Sequence, residues 1–348
     1  MMNVIGCPFG KPCTVGIRRQ RHLYNIIHIS SGPLPFPCFF LPYCYILSMN
    51  KALVKGISLG MISTIIWGSF YPISRMLFGH YDETLEPLNF TFIRFVMAAI
   101  SLSPILFFKG NGRKFVDMIR CDWKNLLLLG CIGTVGEGLL IFWAMEFTTA
   151  ARASLMANTS PIWTLLISFF VTHEALTKSK LTGMVIGAIG ITLAFIGKGN
   201  DVFTGGASTL IGDAMALGSG ICWAYFTVFG QKFANRYGGL LCCEALLIGA
   251  AFIMLPLTLL KNGGIMLNYS WQAWAGAIYL GVLSYGLADV LWYTALKFVT
   301  PGQLGSLGYV SALLALVVSM ILLDEQITLV FACAICCILG GVALMLRE

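Results

Sequence analysis

Three ionisable residues stand inside long apolar runs: Arg94, Glu137 and Asp289. An ionised side chain in hydrocarbon is costly, so each must face a partner or a water-filled space. A guanidinium near two carboxylates can hold a zwitterion, the guanidinium taking its carboxylate and an acid its ammonium. Buried acids also serve as proton carriers, which makes protons the candidate coupling ion. Aromatic residues accompany them. Trp67 and Tyr71 are four apart, as are Tyr285 and Asp289, and Trp292 follows three residues later. A regular helix would put Tyr285, Asp289 and Trp292 on one face. An aromatic face beside an acid suits a cationic or zwitterionic metabolite. Asn158 and Tyr309 join the set, because the two halves of the chain repeat and these positions are equivalent (309 − 158 = 151). The candidate substrate-binding residues are therefore Glu137, Asp289, Arg94, Trp67, Tyr71, Asn158, Tyr285, Trp292 and Tyr309. The plainer alternatives are an Arg94–Glu137 ion pair that only locks two helices, and aromatics that only pack.

Other chemistries lack their residues. No Gly-x-x-x-x-Gly-Lys-Ser/Thr loop is present to cradle a nucleotide. Cys333, Cys336 and Cys337 cluster in an apolar run without a nearby histidine, which reads as packing thiols rather than a metal site. No Ser/His/Asp grouping can be assembled. The expectation is no catalytic residue, no metal and no cofactor.

The elements that must position these residues follow from composition. Of 348 residues, 58% are hydrophobic and 11% charged, against about 25% charged in soluble domains. So little charge cannot cover a water-facing surface, and it argues against a soluble enzyme or a nucleic-acid partner. A spanning helix needs roughly 20 apolar residues. Ten such segments can be read: 54–77, 88–108, 125–145, 150–171, 180–197, 210–230, 239–260, 274–296, 302–323 and 327–346. They are numbered 1 to 10 below. Helix is the state that satisfies each backbone in lipid. The fold class is thus an all-α membrane protein of ten transmembrane helices, with the bilayer as its surroundings. Residues 1–48 differ. They hold four cysteines, six prolines and no acid, and read as a leader outside the working protein or as a basic arm. With the first end inside, 13 Lys and Arg fall on the inner side and only Arg75, Arg152, Lys198 and Lys261 on the outer. That bias puts both termini in the cytoplasm and requires an even number of spans. Asp213 and Glu244, near the membrane edge, read as snorkelling or capping acids.

The halves repeat at two offsets. At 156, Trp67 falls on Trp223, Phe70 on Phe226, and Gly56 on Gly212. At 151, Ala144 falls on Ala295, Ser160 on Ser311, Glu174 on Glu325, and Gly190 on Gly341. Glu137 falls one residue short of Asp289. Five helices are an odd number, so the second copy enters from the other side. The expected domains are residues 49–198 and 209–348, two inverted five-helix repeats, an arrangement characteristic of secondary transporters.

Trp67-Gly68-Ser69-Phe70, Phe92-Ile93-Arg94-Phe95, Ala150-Ala151-Arg152-Ala153-Ser154-Leu155 running to Ser160-Pro161, and His173-Glu174-Ala175-Leu176-Thr177 occur in order. Gly212-Asp213 and Asp324-Glu325-Gln326-Ile327-Thr328 follow in the second copy. In these pieces the chain resembles the EamA-type drug/metabolite transporter superfamily, over essentially everything after Met49. The resemblance implies transport of a small metabolite, often export of an amino acid or related compound, from the inner (plasma) membrane. The second copy has Ser311-Ala312 where the first has Ser160-Pro161, so segment 9 is expected to lack a proline bend. The expected function is a secondary carrier, not an enzyme, with a homodimer as a candidate assembly. The alternative is an intramembrane enzyme on a lipid or prenyl substrate. Such an enzyme should gather its acids at one membrane face, and here they are spread over several helices.

Overall fold

The computed structural model describes residues 51–77, 85–108, 110–148, 150–196, 207–322 and 329–347. Residues 1–48, and with them the leader, lie outside that range. Every apolar segment is helical, and no strand occurs among the described residues. Segment 1 is α1 (Lys51–Gly68) and α2 (Phe70–Met76), and segment 2 is α3 (Pro87–Phe108). Segment 3 is α4 (Gly112–Leu129), a π-helical stretch (Gly130–Gly136) and α5 (Glu137–Phe147). Segment 4 is α6 (Ala150–Ala157) and α7 (Ser160–Thr172), and segment 5 is α8 (Lys178–Ile196). Segments 6 and 7 are α9 (Ala207–Tyr237) and α10 (Gly239–Asn262). Segment 8 is α11 (Trp271–Ile278), a second π-helical stretch (Tyr279–Ala288) and α12 (Asp289–Ala295). Segment 9 is α13 (Pro301–Ser306) and α14 (Gly308–Leu322), and segment 10 is α15 (Leu329–Met345). Among the described residues, six helical stretches are long and apolar enough to cross a membrane: Pro87–Phe108, Gly112–Ile141, Arg152–Thr172, Lys178–Ile196, Gly239–Asn262 and Trp271–Ala295. The chain is a multi-pass membrane protein.

Local chemistry sets the ends. Ser270 caps α11 by accepting from the Ala273 N–H at 3.2 Å. Thr300 and Gln303 form a reciprocal capping box at α13, with Pro301 in its first turn. Gly263 ends α10 at φ 69°, a left-handed conformation that costs glycine little.

The breaks recur between the copies. In segment 4 the Thr159 N–H donates to the Met156 carbonyl at 3.2 Å, and in segment 9 the Val310 N–H donates to the Leu307 carbonyl at 2.9 Å. Donor and acceptor are each related by 151, so the same tightened turn interrupts both helices. Segment 9 is thus interrupted without a proline at the position that Pro161 holds in the first copy. The bend is a backbone event between Ala157 and Ser160, or at Leu307, and the proline of the first copy sits after it. Segment 1 is interrupted at Ser69, whereas its counterpart α9 is continuous.

Packing obeys the same relation. A methyl group on Gly212 would meet the Ala144 carbonyl and Thr148 Cβ, both at 2.8 Å. One on Gly56 would meet Val299 at 2.7 Å and the Ala295 carbonyl at 3.5 Å. Gly56 corresponds to Gly212, Ala295 to Ala144, and Val299 to Thr148. Segment 6 thus seats on segment 3 as segment 1 seats on segment 8. Segment 1 also packs on segment 9 as segment 6 packs on segment 4, and segments 2 and 7 pack together, as do 4 and 9, and 5 and 10. These contacts between the copies come in matched pairs. The closest approach is between segments 5 and 10, where a methyl on Gly341 would lie 2.6 Å from both the Gly183 carbonyl and the Gly187 nitrogen.

Gly341→Val should therefore force two backbones apart and lower stability by about 1–3 kcal/mol. Gly340→Val, at an exposed position where an added Cβ meets nothing within 4 Å, should be close to neutral. Thermal unfolding of the two variants in one detergent checks the pair.

Candidate functional site

Segments 1, 6 and 8 bring three tryptophans together. The Trp67 ring lies edge-on to Trp223 and to Trp292, with centroids 5.0 Å away in each case, and Trp223 and Trp292 are 6.0 Å apart. Trp67 and Trp223 are repeat mates, so they meet where the copies meet. The Trp67 indole N–H donates to the Ser284 carbonyl at 3.0 Å, and the Ser63 hydroxyl donates to the Ala288 carbonyl at 2.9 Å. Both carbonyls belong to the π-helical stretch of segment 8. The wider π turn presents backbone oxygens to a neighbouring helix that an α turn keeps to itself.

Both π stretches end at an acid. Gly130–Gly136 runs into Glu137, and Tyr279–Ala288 into Asp289. Glu137 is half-buried and within electrostatic reach of Arg94, Asp289 and Cys222. Asp289 is more enclosed, at 5% exposure, with Cys243 and Tyr293 nearby. Arg94 is fully buried. Its guanidinium donates to the Thr91 hydroxyl at 2.8 Å and lies over the rings of Phe70, Phe90 and Tyr285 at 5.3–5.4 Å. The structure thus brings Arg94, Glu137, Asp289 and Tyr285 into one electrostatic neighbourhood, edged by Trp67.

The other expected residues fall in different surroundings. Trp292 is wholly enclosed and donates to the Thr227 hydroxyl at 3.2 Å, so it acts by packing. Tyr285 and Trp292 both meet segment 1, through Phe70 and Trp67. Asp289 lies beside Tyr293, one regular turn further on. Tyr285 lies in the π stretch, where the count per turn departs from that of a regular helix, and Asp289 and Trp292 lie in the α-helix that follows it. Asn158 sits at the break of segment 4 and donates to the Ser154 carbonyl at 2.7 Å. Tyr309 sits at the break of segment 9, its ring against Gly187 and its hydroxyl without a hydrogen-bond partner among the described residues. Tyr71 is part of α2, and its side chain lies outside the described ones. Sequence reasoning passed over Trp223, Phe70 and Cys222. The offset of 156 already paired Trp223 with Trp67 and Phe70 with Phe226.

Buried polar contacts also tie the copies together away from the centre. Glu174, 6% exposed, accepts from the Ser168 and Thr300 hydroxyls at 2.5 Å each and from the Gly302 N–H at 2.9 Å. Lys180 Nζ lies 3.2 Å from the same carboxylate. A residue of the first copy thereby holds the first turn of α13 in the second. His173, left-handed at φ 55°, turns the chain so that Glu174 points inward. Asp213 binds Arg152 in a buried pair and accepts from the Thr148 hydroxyl at 2.9 Å, which joins α9 to the base of segment 4. Glu244, 2% exposed, accepts from the Ser103 hydroxyl at 2.5 Å. These two acids bond between helices and do not snorkel. At the far end of segments 2 and 7, Glu86 gathers Lys261, Asn262 and the Asn89 N–H. Burial pushes its carboxyl up, and these hydrogen bonds outweigh that and hold it below its ordinary value.

Comparison with known proteins agrees with this architecture. The EamA-like transporter family matches residues 54–196 and again residues 210–347. An uncharacterized transporter of Archaeoglobus fulgidus is 30% identical over 237 residues, which cover 68% of this chain and 78% of that one. The uncharacterized transporter YoaV of Bacillus subtilis is 26% identical over 287 residues, 81% of this chain and 94% of its own. A solved crystal structure that is 19% identical superposes with a TM-score of 0.72, over 84% of this chain and 96% of that one, and so shares the fold.

Removing the Glu174 carboxylate takes the acceptor from three donors and the counter-charge from Lys180. Glu174→Ala should lower stability by about 3–5 kcal/mol, and Lys180→Met made alongside it should restore part of that loss. Thermal unfolding of the single and double variants in detergent measures both.

Proposed function

The chain belongs to the EamA-like transporter family, and on that premise we propose that it is a secondary carrier of a small organic metabolite, an amino acid or related compound, working as an exporter in the cell's inner (plasma) membrane. Its ten segments all span. Residues 49–198 and 209–348 are five-helix units of opposite orientation, and both termini are cytoplasmic. Alternating access is the rocking of one unit's helices against the other's. The observation that carries this reading is the pair of broken helices, segments 4 and 9, interrupted by equivalent backbone turns. Transporters place their substrate beside discontinuous helices at corresponding positions of two repeats. The relatives named as transporters favour a carrier over an intramembrane enzyme.

The substrate lies among Glu137, Asp289, Arg94, Tyr285 and Trp67. A zwitterion fits the charge arithmetic, since one guanidinium answers two carboxylates. Asp289 is the more enclosed acid, so Glu137 is the one that meets the substrate ammonium. With the site empty, a proton on one of the two acids restores balance, which is the basis for proton coupling. Trp67 and Trp223 form the hinge between the copies, and Asn158 and Tyr309 mark the two breaks.

Glu137→Gln keeps shape and hydrogen bonding and removes the charge. It should lower transport into proteoliposomes by roughly tenfold or more while leaving the unfolding temperature near that of the parent. If Glu137 serves only as a counter-charge for Arg94, the same change should instead destabilise the protein, and Arg94→Gln with Glu137→Gln should recover both stability and transport. A well-folded double variant that stays inactive supports the binding role. Labelled amino acids, amines and sugars, each with and without a proton gradient, form the assay panel.

Orientation has its own check. Cysteines introduced at Gly199 and Asn262 should react with an impermeant maleimide from outside intact cells, and those at Asn111 and Asn235 only after lysis. External labelling at Asn111 would reverse the assignment of sides.

A further inference from the structure

We infer that the helix Gly112–Cys121, which leads into segment 3, is a surface-lying element that binds anionic phospholipid headgroups of the adjacent leaflet. Three observations carry this. First, α4 is not one straight rod. Asp122 leaves helical geometry at φ −125°, ψ 15°, so the part before it is set off from the spanning part after it. The kink is held from outside α4, since Asp122 accepts from Arg236 at 2.9 Å and from the Tyr237 hydroxyl at 2.5 Å, both at the end of α9.

Second, the side chains of this helix divide three ways. Met118 is fully buried, and Phe115 and Ile119 pack against the core. Val116 and, just past the kink, Trp123 are apolar yet 45% and 52% exposed. Arg113, Lys114, Arg120 and Lys124 are exposed, with Asp117 the one acid among them. A helix on a soluble surface has a buried side and a polar side. An exposed apolar edge beside an exposed basic edge is the division found where acyl chains meet headgroups. Trp123 at that edge, with Lys124 Nζ 5.6 Å from its ring centroid, suits the boundary itself.

Third, further positive charge lies alongside. Arg236 and Lys297 are exposed near the same end, and both Asp122 and Lys297 act electrostatically on Cys242. The two acids in the helix and its kink are Asp117 and Asp122, and Arg236 already binds Asp122. The surplus of basic groups matches a phosphate-bearing headgroup that carries net negative charge.

The test uses the full chain purified in detergent, with native mass spectrometry in mixtures of phosphatidylglycerol and phosphatidylcholine. It requires no transport, so its failure is distinct from failure of the carrier reading. The parent should retain phosphatidylglycerol over phosphatidylcholine by roughly tenfold, a preference that fades as salt rises. Arg113→Gln, Arg120→Gln and Lys124→Gln together should abolish it. Equal retention of the two lipids by the parent, or an undiminished preference in the triple variant, would overturn the proposal. Displacement of the lipid by millimolar glycerol phosphate would also overturn it, because the site would then serve a soluble anion. Since the triple variant could misinsert, Trp123→Ala is a second arm. It should weaken retention of the intact lipid with little change when only a short-chain phosphatidylglycerol is offered. Equal loss for both chain lengths would count against the apolar edge.

Discussion

The contact on which the rest depends is backbone against backbone. At Gly183, Gly187 and Gly341 the axes of segments 5 and 10 come so close that no side chain fits between them. In lipid no difference in water exclusion pulls apolar helices together, so close van der Waals approach through small residues must do it. The same device seats Gly212 on the backbone of segment 3, and Gly56 seats against Phe298 and Val299 just past segment 8. Each copy thus completes its packing with helices of the other. Neither half has a full set of neighbours alone, which explains why buried polar contacts such as Glu174 to Gly302 run between copies.

Two kinds of buried polarity follow. Around the rim, two carboxylates are closely partnered. Glu174 takes three hydrogen bonds and a lysine, and Asp213 takes an arginine and a threonine. Such groups hold helices in register, since removing one partner leaves a charge without an answer. At the centre, Arg94, Glu137 and Asp289 are coupled electrostatically, with aromatic rings around the guanidinium. The rim contacts hold helices in register, and the central groups are those of the proposed substrate site.

How much of this could be read from residues alone differs by feature. The helical segments and the two offsets were legible, because lipid demands long apolar runs and a duplicated fold keeps glycine and tryptophan at fixed spacing. Trp67 meeting Trp223 follows from the offset once the copies are known to interleave, a relation that only the packing supplies. The π stretches before Glu137 and Asp289 leave no residue signature; in the second, Ser63 and Trp67, distant in sequence, bond to its carbonyls. The break at Leu307 was hidden for a related reason: proline was taken as the sign of a bend that the backbone makes without it. Glu174 was visible as one of a repeated pair and was not credited with joining the copies, because its partners Thr300 and Gly302 are distant in sequence.

The interruption at Ser69 has no equal in the unbroken helix Ala207–Tyr237. Were the two copies identical, a structure and its inverted image would have the same free energy, and the empty protein would be found equally in both. Any feature present in one copy alone removes that degeneracy. A difference of about 1.4 kcal/mol populates one state tenfold over the other. In the carrier proposed above, the interruption in segment 1 would be an energetic label that distinguishes the two sides of the membrane. It would bias where the unloaded protein waits, while the direction of net movement would belong to the gradients outside it.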